Sequence, residues 1–586
     1  MITKKRNLCF YFHFSFRIPK ISSSIYNRSM DVLLVDLKKL SVDRIEDSST
    51  EEGLLLGIGL HRKYGEDSLV LSAPPSSSIS SSSINSWSIV WHSAIMGRET
   101  YAVSNSSHGY SLFRLGIKAM VIMGRNERMK YLLLNQERVE IIASENLRYS
   151  SSLSFENIAL SSLSDLALST GPSADRGVKY TVIQSKGKSI NGFDLGYAFY
   201  LHNLKGIVFP GFPDRQLGHG NVPEKDGEKG KFFKKVRTYG GYCFISDASR
   251  LGWLPVRGWK DRFDPRAASL DGKAMMEKYG TYPESCSDCL LACDRRKRDG
   301  HILPTWKEIM TMGTNLGFFD PEDIDRIVSL TNKEGLNTSV TGGIIGSILA
   351  LGPDNYSKYG FDSSLDGVLA FIKRLASGSI LYNGLENVEG AIECVDHMPI
   401  DYDLRGSSAM ALSYSSGLGF LLPSTMLFPA KRPDERATAT IAFYEAVYTL
   451  ALNAFGHPPF CSNASYYSKA PEVVFHSHIL ARFYSRRYKA FGHSALELLE
   501  KGMEVMEKMP DKWNDIPSYF TLQCQSALST DTVPLVRLQS YWDEEKVRVE
   551  ILLKSKREKR VKDSVSSTPK VGPEEDLGRE GEPGLK

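Results

Sequence analysis

Short runs of alternating apolar and polar residues dominate the chain from residue 30 to about residue 235. The stretch MDVLLVDLKKLSVDRIE begins this region at Met30 and has the two-residue period that is typical of β-strands. Further segments of β type, separated by Gly, Ser and Asn, are SLVLSA, SWSIVW, AMVIMG, YLLLN, KYTVIQS and KGIVFPG. We therefore predict a β-rich N-terminal domain over residues 30–235, which ends at the charged, Gly-containing stretch PEKDGEKGKFFKK.

Helical periods replace this alternation after residue 236. The segment DPEDIDRIVSLTNKEG has Pro in its first turn, as helices often do, and stops at Gly335. Apolar residues recur at i, i+3, i+4 and i+7 in LDGVLAFIKRLAS, ATATIAFYEAVYTLALNAFG and HSALELLEKGMEVMEKM. We predict two mostly helical domains, residues 236–425 and 426–555, and hence an α+β fold.

Both ends of the chain are expected to lie outside these domains. Residues 1–29 have a basic start and an aromatic run like a secretory signal, but His13 interrupts the run and no clean small-residue cleavage site follows. We expect them to be an unfolded extension that precedes a true start at Met30. Residues 556–586 have few apolar side chains to bury, which predicts a disordered tail.

Composition is that of an ordinary globular protein. Hydrophobic residues make up 42% and charged residues 24% of the 586 residues, and the formal net charge of +4 gives no argument for nucleic-acid binding. The sequence has no apolar run near the roughly 20 residues that span a bilayer, so no membrane insertion is expected. Eight cysteines are too few for a disulfide scaffold, which favours a reducing compartment, the cytoplasm.

Three cysteines stand close together in YPESCSDCLLACDRRKRDG, spaced C-x2-C-x3-C: Cys286, Cys289 and Cys293. Thiolates are the usual ligands of iron–sulfur clusters, and a cubane cluster needs four of them. Zinc is the first alternative, but a second ligand pair is missing and His301 stands alone. Simple packing is the third, which the polar neighbours disfavour. The pattern favours a cluster, and the remote cysteines are expected to be buried thiols: Cys243, Cys394 and Cys524.

Four segments around these cysteines follow one another in a recognisable order. They are SNSSHGYSLFRLGIKAMVIMGR (104–125), LGYAFYLHNLKGIVFPG (195–211), TWKEIMTMGTNLGFFDPEDIDRIVSLTNKEGLNT (305–338) and DYDLRGSSAMALSYSS (401–416). Each resembles a landmark of the tungsten-dependent aldehyde ferredoxin oxidoreductases. The resemblance implies oxidation of a small aldehyde-type substrate, with electrons passing through a 4Fe–4S cluster to ferredoxin or another electron-transfer protein. It also implies a tungsten or molybdenum pterin and is compatible with a homodimer.

The resemblance implies two loops that hold the pterins. The family uses two D-x-x-G-L-C or D-x-x-G-L-D loops, whose acids, backbone donors and Gly turns suit pterin rings and phosphates. The implied cofactor-binding residues here are Asn332, Gly335 and Asn337 in the first loop, Asn453 and Gly456 in the second, Asn105 in SNSSHG and Arg405 in DYDLRG. The ordinary alternatives are helix ends with a Gly stop, and a structural salt bridge for Arg405.

The resemblance also implies a fourth cluster ligand and catalytic groups. The family's fourth cysteine ends the second loop, where this chain has Pro458. Cys461, three residues later, is the expected ligand, and His457 is the alternative. Proton transfer to or from an aldehyde hydrate needs a titratable group near the metal. Glu308, one position away from the acid of the family's PEYET segment, and His457 are therefore the candidate catalytic residues.

Several substitutions depart from the family pattern. Asn replaces Asp in both pterin loops, which keeps a hydrogen-bonding oxygen but loses its charge. The family's Arg-Gly-Gly phosphate loop reads Gly192-Phe193-Asp194, which is expected to put an anion beside the phosphates. The family's catalytic histidine falls at about Leu421 or Leu422. These changes argue for an altered or absent pterin. They support an alternative function, a non-catalytic homologue that keeps the fold and the cluster as an electron-relay or assembly subunit.

Overall fold

A computed structural model describes residues 13–17, 30–47, 49–75, 86–135, 138–190, 192–212, 228–285, 292–406, 408–416, 435–456, 495–508 and 535–566. Its strands are concentrated before residue 210: β1 His13–Arg17, β2 Asp31–Asp36, β3 Ser41–Glu46, β4 Leu69–Ser72, β5 Trp87–Ser93, β6 Arg98–Ser104, β7 Ile117–Met123, β8 Lys130–Leu134, β9 Arg138–Ala143, β10 Leu166–Thr170, β11 Ile183–Ser185, β12 Lys188–Ser189, β13 Leu204–Phe209, β14 Tyr282–Glu284 and β15 Asp294–Arg296.

The α-helices become more frequent after residue 227. Those before it are Gly53–Tyr64, His108–Arg114, Ser152–Ala159, Pro172–Asp175 and Leu195–Leu201. Those after it are Glu228–Tyr239, Cys243–Leu251, Gly272–Tyr279, Trp306–Glu308, Pro321–Glu334, Thr338–Leu351, Tyr356–Tyr359, Leu365–Ala376, Ser408–Ser415, Glu435–Ala454, Ala495–Lys508 and Leu535–Ser566. A β-rich N-terminal region followed by helical regions confirms the predicted α+β class.

Two mixed sheets form the N-terminal domain. One has the strand order β3-β2-β7-β4-β5-β6 and the other β1-β9-β8-β13-β10-β11-β12. Strand β2 shows why the predicted alternation matters: Leu33 and Val35 pack into a core built from both sheets, whereas Val32 and Leu34 face helices Gly53–Tyr64 and Glu435–Ala454. Both faces of the strand are therefore buried, each in a different core.

The middle of the chain has its own helical core. Ile324, Ile327 and Val328 of helix Pro321–Glu334 are buried in it. The helix begins as predicted, because the Asp320 carboxylate accepts a hydrogen bond from the Glu322 amide at 2.7 Å. It ends as predicted at Gly335, whose φ of 77° lies in the left-handed region that glycine adopts easily.

Three of the expected domain limits differ from the described elements. Strand β1 pairs antiparallel with β9, so the expected N-terminal extension contributes a strand to a sheet. Helix Glu228–Tyr239 crosses the limit expected at residue 235. The last helix runs to Ser566, so the tail expected to be disordered from residue 556 is helical over its first part. Among the described helices, none is long and apolar enough to cross a membrane.

Candidate functional site

A short β-hairpin carries the cysteine segment. Strands β14 and β15 pair Glu284 with Asp294, which brings the two ends of the segment together. Lys188 of β12 ties the hairpin to the N-terminal domain, since its Nζ lies 3.2 Å from Asp294 Oδ2 and 3.5 Å from Glu284 Oε1. Cys293 is partly buried and carries a thiol. Of the four predicted cluster ligands, Cys293 is the one that lies within the described residues.

Several predicted site residues fall outside the described ranges, and their roles stay predictions: Cys286, Cys289, His457 and Cys461, with Leu421 and Leu422. The expectation for two of the remote cysteines is confirmed, because Cys243 and Cys394 are both buried. Cys524 also lies outside the described residues. His301, the histidine considered for a zinc site, contacts a carboxylate: its Nε2 lies 2.8 Å from Asp325 Oδ1.

Glu308 lies beside the first predicted pterin loop. Its Oε2 accepts hydrogen bonds from the amide (2.8 Å) and the hydroxyl (3.0 Å) of Thr305, which closes a capping box on helix Trp306–Glu308. Its Oε1 faces Asn332 Nδ2 at 3.4 Å. Burial raises the pKa of the Glu308 carboxyl, and the charge of Asp294 on the cysteine hairpin adds to this shift. The structure therefore brings the candidate acid, the first loop and the cysteine hairpin into one neighbourhood.

The first loop uses its side chains as helix caps. Asn337 Oδ1 accepts a hydrogen bond from the Val340 amide at 3.0 Å, at the start of helix Thr338–Leu351. Asn337 Nδ2 reaches the Gly192 carbonyl at 3.4 Å. Gly335 packs against the N-terminal domain so closely that an added Cβ would lie 2.7 Å from the Cα of Gly171. The loop thus adopts the helix-end geometry that was its ordinary alternative, and cofactor binding by these residues stays a prediction.

The carboxylate of Asp194, expected as an anion beside the phosphates, is bonded within the N-terminal domain, and the expectation stays a prediction. The Asp194 carboxylate is buried in the N-terminal domain, where it accepts hydrogen bonds from Trp91 Nε1 (2.8 Å), Ser93 Oγ (2.8 Å) and the Ile95 amide (3.1 Å). Its side chain therefore points toward β5 and the turn after it. The neighbouring Phe193 packs against the helical core. The sequence did not reveal the direction of the Asp194 side chain, because its donors lie about a hundred residues earlier in the chain.

The second loop meets the SNSSHG turn at the start of β5. The amide of Ser86 donates a hydrogen bond to the Gly456 carbonyl at 2.9 Å. The Ser86 hydroxyl also donates to Asn105 Oδ1. Asn453, at the end of helix Glu435–Ala454, lies with its Nδ2 3.4 Å from the Tyr101 hydroxyl. Three predicted cofactor-binding residues, Asn105, Asn453 and Gly456, are thus brought together.

A buried polar chain runs from this turn to the first loop. Ser106 Oγ lies 2.9 Å from His108 Nδ1, and His108 Nε2 lies 3.4 Å from Ser185 Oγ. The adjacent Gln184 donates from Nε2 to the Asn332 carbonyl at 2.9 Å. Burial lowers the pKa of His108 to about 4, so the ring is neutral at pH 7. The sequence analysis missed His108. The available signal was a histidine directly before the glycine of SNSSHG, in one of the segments that carry the family resemblance.

Arg405 forms the structural salt bridge that was its alternative role. Its Nε lies 2.9 Å from Asp403 Oδ1, and its Nη2 donates to the Trp259 carbonyl at 2.6 Å. A second ion pair stands nearby in sequence, where Lys307 Nζ lies 2.8 Å from Asp401 Oδ2. Asp401 is 3% exposed, and its Oδ1 has no hydrogen-bond partner among the described residues. Both arginine and lysine are therefore engaged by buried carboxylates.

Arg295 is a further residue that the sequence analysis did not identify. It follows Cys293 by two positions in a run of charged residues, and the sequence analysis gave it no role. The structure buries it completely, and its Nη1 donates to the carbonyls of Ala292 (2.7 Å) and Asp294 (2.8 Å) on either side of Cys293. No sequence signal separated Arg295 from its charged neighbours, because the run of charged residues hides the two-residue period of β15.

Comparison with known proteins identifies relatives along most of the described chain. Residues 58–211 match the domain "Aldehyde ferredoxin oxidoreductase, N-terminal domain", and residues 224–416 match "Aldehyde ferredoxin oxidoreductase, domains 2 & 3". Together these matches span more than half of the chain.

Two curated relatives are tungsten-containing aldehyde ferredoxin oxidoreductases. The protein from Pyrococcus furiosus is 26% identical over 311 residues, which cover 49% of this chain and 50% of the relative. The protein from Pyrococcus horikoshii is 23% identical over 402 residues, which cover 60% of this chain and 64% of the relative. The chain thus spans about half to two thirds of the length of these relatives.

A solved structure shares the fold. It is the active-site complex BamBC of benzoyl coenzyme A reductase with 1,5-dienoyl-CoA, which superposes with a TM-score of 0.66 at 14% identity. The superposition covers 94% of this chain and 100% of the other. Two matched domains in order, named relatives and a shared architecture agree with the sequence landmarks, and this chain belongs to the aldehyde ferredoxin oxidoreductase family.

Proposed function

We propose that this protein is an oxidoreductase that oxidises a small aldehyde-type substrate. Its electrons would pass through a 4Fe–4S cluster held by Cys286, Cys289 and Cys293, with Cys461 as the fourth ligand, to ferredoxin or another electron-transfer protein. The observation that carries the proposal is the proximity of Glu308 to both the cysteine hairpin and the first loop. Membership of the family supports the reaction class.

Glu308 is the proposed proton acceptor. Oxidation of a hydrated aldehyde to an acid releases two electrons and two protons, and a carboxylate at the site gives one of those protons a place to go. Because burial raises its pKa, Glu308 is closer to the neutral range in which general acid–base catalysis works well. Its hydrogen bonds to Thr305 fix the carboxyl in one orientation.

The described residues fit the cluster better than they fit a pterin. A bound cluster supplies one-electron transfer, and Cys293 with the buried, carbonyl-bound Arg295 beside it suits an anionic iron–sulfur centre. In contrast, Asn337 is used as a helix cap and the Asp194 carboxylate is bonded inside the N-terminal domain. These groups are not used in the family's way of holding a pterin. Because a 4Fe–4S cluster takes one electron at a time, aldehyde oxidation would still need a bound tungsten or molybdenum pterin as its two-electron acceptor, held by other contacts, and without one the electron-relay or assembly subunit is the function that remains. A cytoplasmic location and a homodimer stay predictions.

Metal analysis of anaerobically purified protein tests the proposal. We expect about four iron atoms per chain and an electron paramagnetic resonance signal after reduction with dithionite. Zinc in place of iron, or no metal, would overturn the proposal. Iron without aldehyde oxidation, and without tungsten or molybdenum, would instead support the electron-relay or assembly subunit.

Replacement of Glu308 tests its role separately. With an aldehyde panel and a viologen acceptor, Glu308→Gln should lower kcat by roughly 10²–10⁴-fold without changing the iron content. Glu322→Gln is the control, because Glu322 is an exposed acid near the start of helix Pro321–Glu334 and should leave kcat unchanged. Equal kcat in the Glu308 variant and the control would remove Glu308 from the reaction.

A further inference from the structure

The side chain of Arg295 binds the backbone carbonyls on either side of Cys293, the last cysteine of the candidate cluster segment. It is completely buried, and among the described residues its partners are carbonyl oxygens rather than carboxylates. Its Nη2 donates to the carbonyls of Val236 (2.8 Å) and Arg237 (2.5 Å), in the last turn of helix Glu228–Tyr239. Its Nε is buried and has no partner among the described residues.

A buried cation surrounded by carbonyls is incompletely compensated. Carbonyl oxygens carry only partial negative charge, whereas removing a guanidinium from water costs several times what one such hydrogen bond returns. Buried charges in proteins are therefore normally matched by a charge of opposite sign. The thiolates of a bound iron–sulfur cluster would supply that charge beside Arg295. Among the described residues, no acceptor lies within hydrogen-bond distance of the buried Nε of Arg295, so this is the atom whose charge is least compensated.

Arg295 also fixes the backbone on which Cys293 stands. The carbonyls of Ala292 and Asp294 bind Arg295 Nη1, and the carbonyl of Cys293 itself accepts a hydrogen bond from the Gly241 amide at 2.7 Å. Three consecutive carbonyls are thus held. Ala292 has a φ of 45°, a left-handed conformation that an L-residue adopts at a cost in free energy, and the bond from Arg295 helps to retain it.

We propose that Arg295 is a positioning residue for the cluster. Arg295 orients Cys293, and its positive charge stabilises the cluster in its reduced, more negative state. This inference rests on the proposed function. The competing explanation is that Arg295 only caps the end of helix Glu228–Tyr239. The two explanations differ in a measurable way, because a helix cap changes stability, whereas a nearby charge also changes the reduction potential of the cluster.

Two substitutions separate charge from geometry. Arg295→Gln removes the charge but keeps amide donors for the carbonyls, whereas Arg295→Lys keeps the charge but loses the planar fork. In protein purified anaerobically, the readouts are iron content, Tm and the midpoint potential from a dithionite titration followed by electron paramagnetic resonance. For Arg295→Gln we expect an iron-containing protein whose reduction equilibrium is about tenfold less favourable, which is about 59 mV for one electron.

Arg295→Lys should lower the Tm, but it should shift the midpoint potential of the cluster by less than half as much as Arg295→Gln. Arg374→Gln is a matched control, because Arg374 also donates to carbonyls at a turn, those of Tyr359 (3.0 Å) and Gly360 (2.9 Å). That control should change the potential in neither direction.

An unchanged potential in iron-loaded Arg295→Gln would overturn this inference and leave the proposed function intact. If the Gln variant does not fold, Arg295→Met replaces it as the neutral side chain. Failure of both neutral variants to fold, even with iron and sulfide supplied during anaerobic refolding, would make Arg295 a folding residue and also overturn the inference. A wild-type protein that binds no iron would overturn both the inference and the proposed function.

Discussion

The buried histidine of the polar chain predicts a specific loss of stability in acid. His108 is 1% exposed, and its Nε2 lies 3.2 Å from the Ala167 carbonyl. The ring of Phe209 packs edge-on against the imidazole of His108, with 5.1 Å between the two ring centroids. Protonation would place a charge in this apolar setting, which is why burial lowers the pKa of His108 to about 4 from an ordinary value of 6.5.

The sign and size of the effect follow from these two values. Because the pKa is lowered in the folded state, the unfolded chain takes up the proton first as the pH falls below 6.5. The free energy of unfolding is therefore fully retained above pH 6.5 and is lost progressively down to about pH 4. A difference of about 2.5 pKa units corresponds to about 3 kcal/mol in total, of which about 2 kcal/mol is lost between pH 7.5 and pH 5.0.

Urea unfolding at pH 7.5 and pH 5.0 measures this loss. His108→Gln keeps hydrogen-bonding groups but cannot take up a proton, so the loss in this variant should be smaller by about 2 kcal/mol than in the wild type. Burial also lowers the pKa of His61 and His202, and their contributions are common to both proteins and cancel in the comparison. Parallel pH dependences of the two proteins, or a His108 ring that titrates near pH 6.5 in 13C-labelled histidine NMR spectra, would refute the reasoning.

Substitutions at Asp194 and at the Lys307–Asp401 pair test two buried carboxylates. Asp194→Ala leaves three buried donors unpaired and should lower the free energy of unfolding by about 3 kcal/mol or more, and Asp194→Asn should cost less than half of that because an acceptor oxygen remains. Similar urea midpoints for both variants would contradict the hydrogen bonding. Lys307→Met leaves Asp401 buried without its cation and should cost about 2 kcal/mol, of which adding Asp401→Asn should restore at least half. An additive loss in the double variant would show that the pair is not coupled.

The sequence predicted those parts of the fold that depend on neighbouring residues. The alternation in MDVLLVD predicted β2 because each side of that strand meets a separate core. Helix Pro321–Glu334 was predicted at both ends because Asp320 and Gly335 act locally, on the helix's own backbone. Strand β1 was not predicted, since its partner β9 lies more than a hundred residues later and the aromatic run resembled a leader.

The candidate site was harder to predict because it depends on the direction of side chains. Asp194 looked like an anion for the cofactor site, but its direction is decided by Trp91 and Ser93, which are remote in sequence. Arg295 and Arg296 are neighbours of the same type, yet the two-residue period of β15 buries the first and exposes the second. A run of charged residues hides that period, so composition gave no reason to separate them.

The contact between Gly171 and Gly335 has a consequence for the history of the sequence. A Cβ on Gly171 would lie 2.6 Å from the Cα of Gly335, and the reverse distance is 2.7 Å. Neither position can gain a side chain while the other keeps its backbone in place. The two glycines should therefore vary together or not at all among homologous chains. Their joint retention would mark the homologues in which the β-rich domain docks on the helical domain in this way.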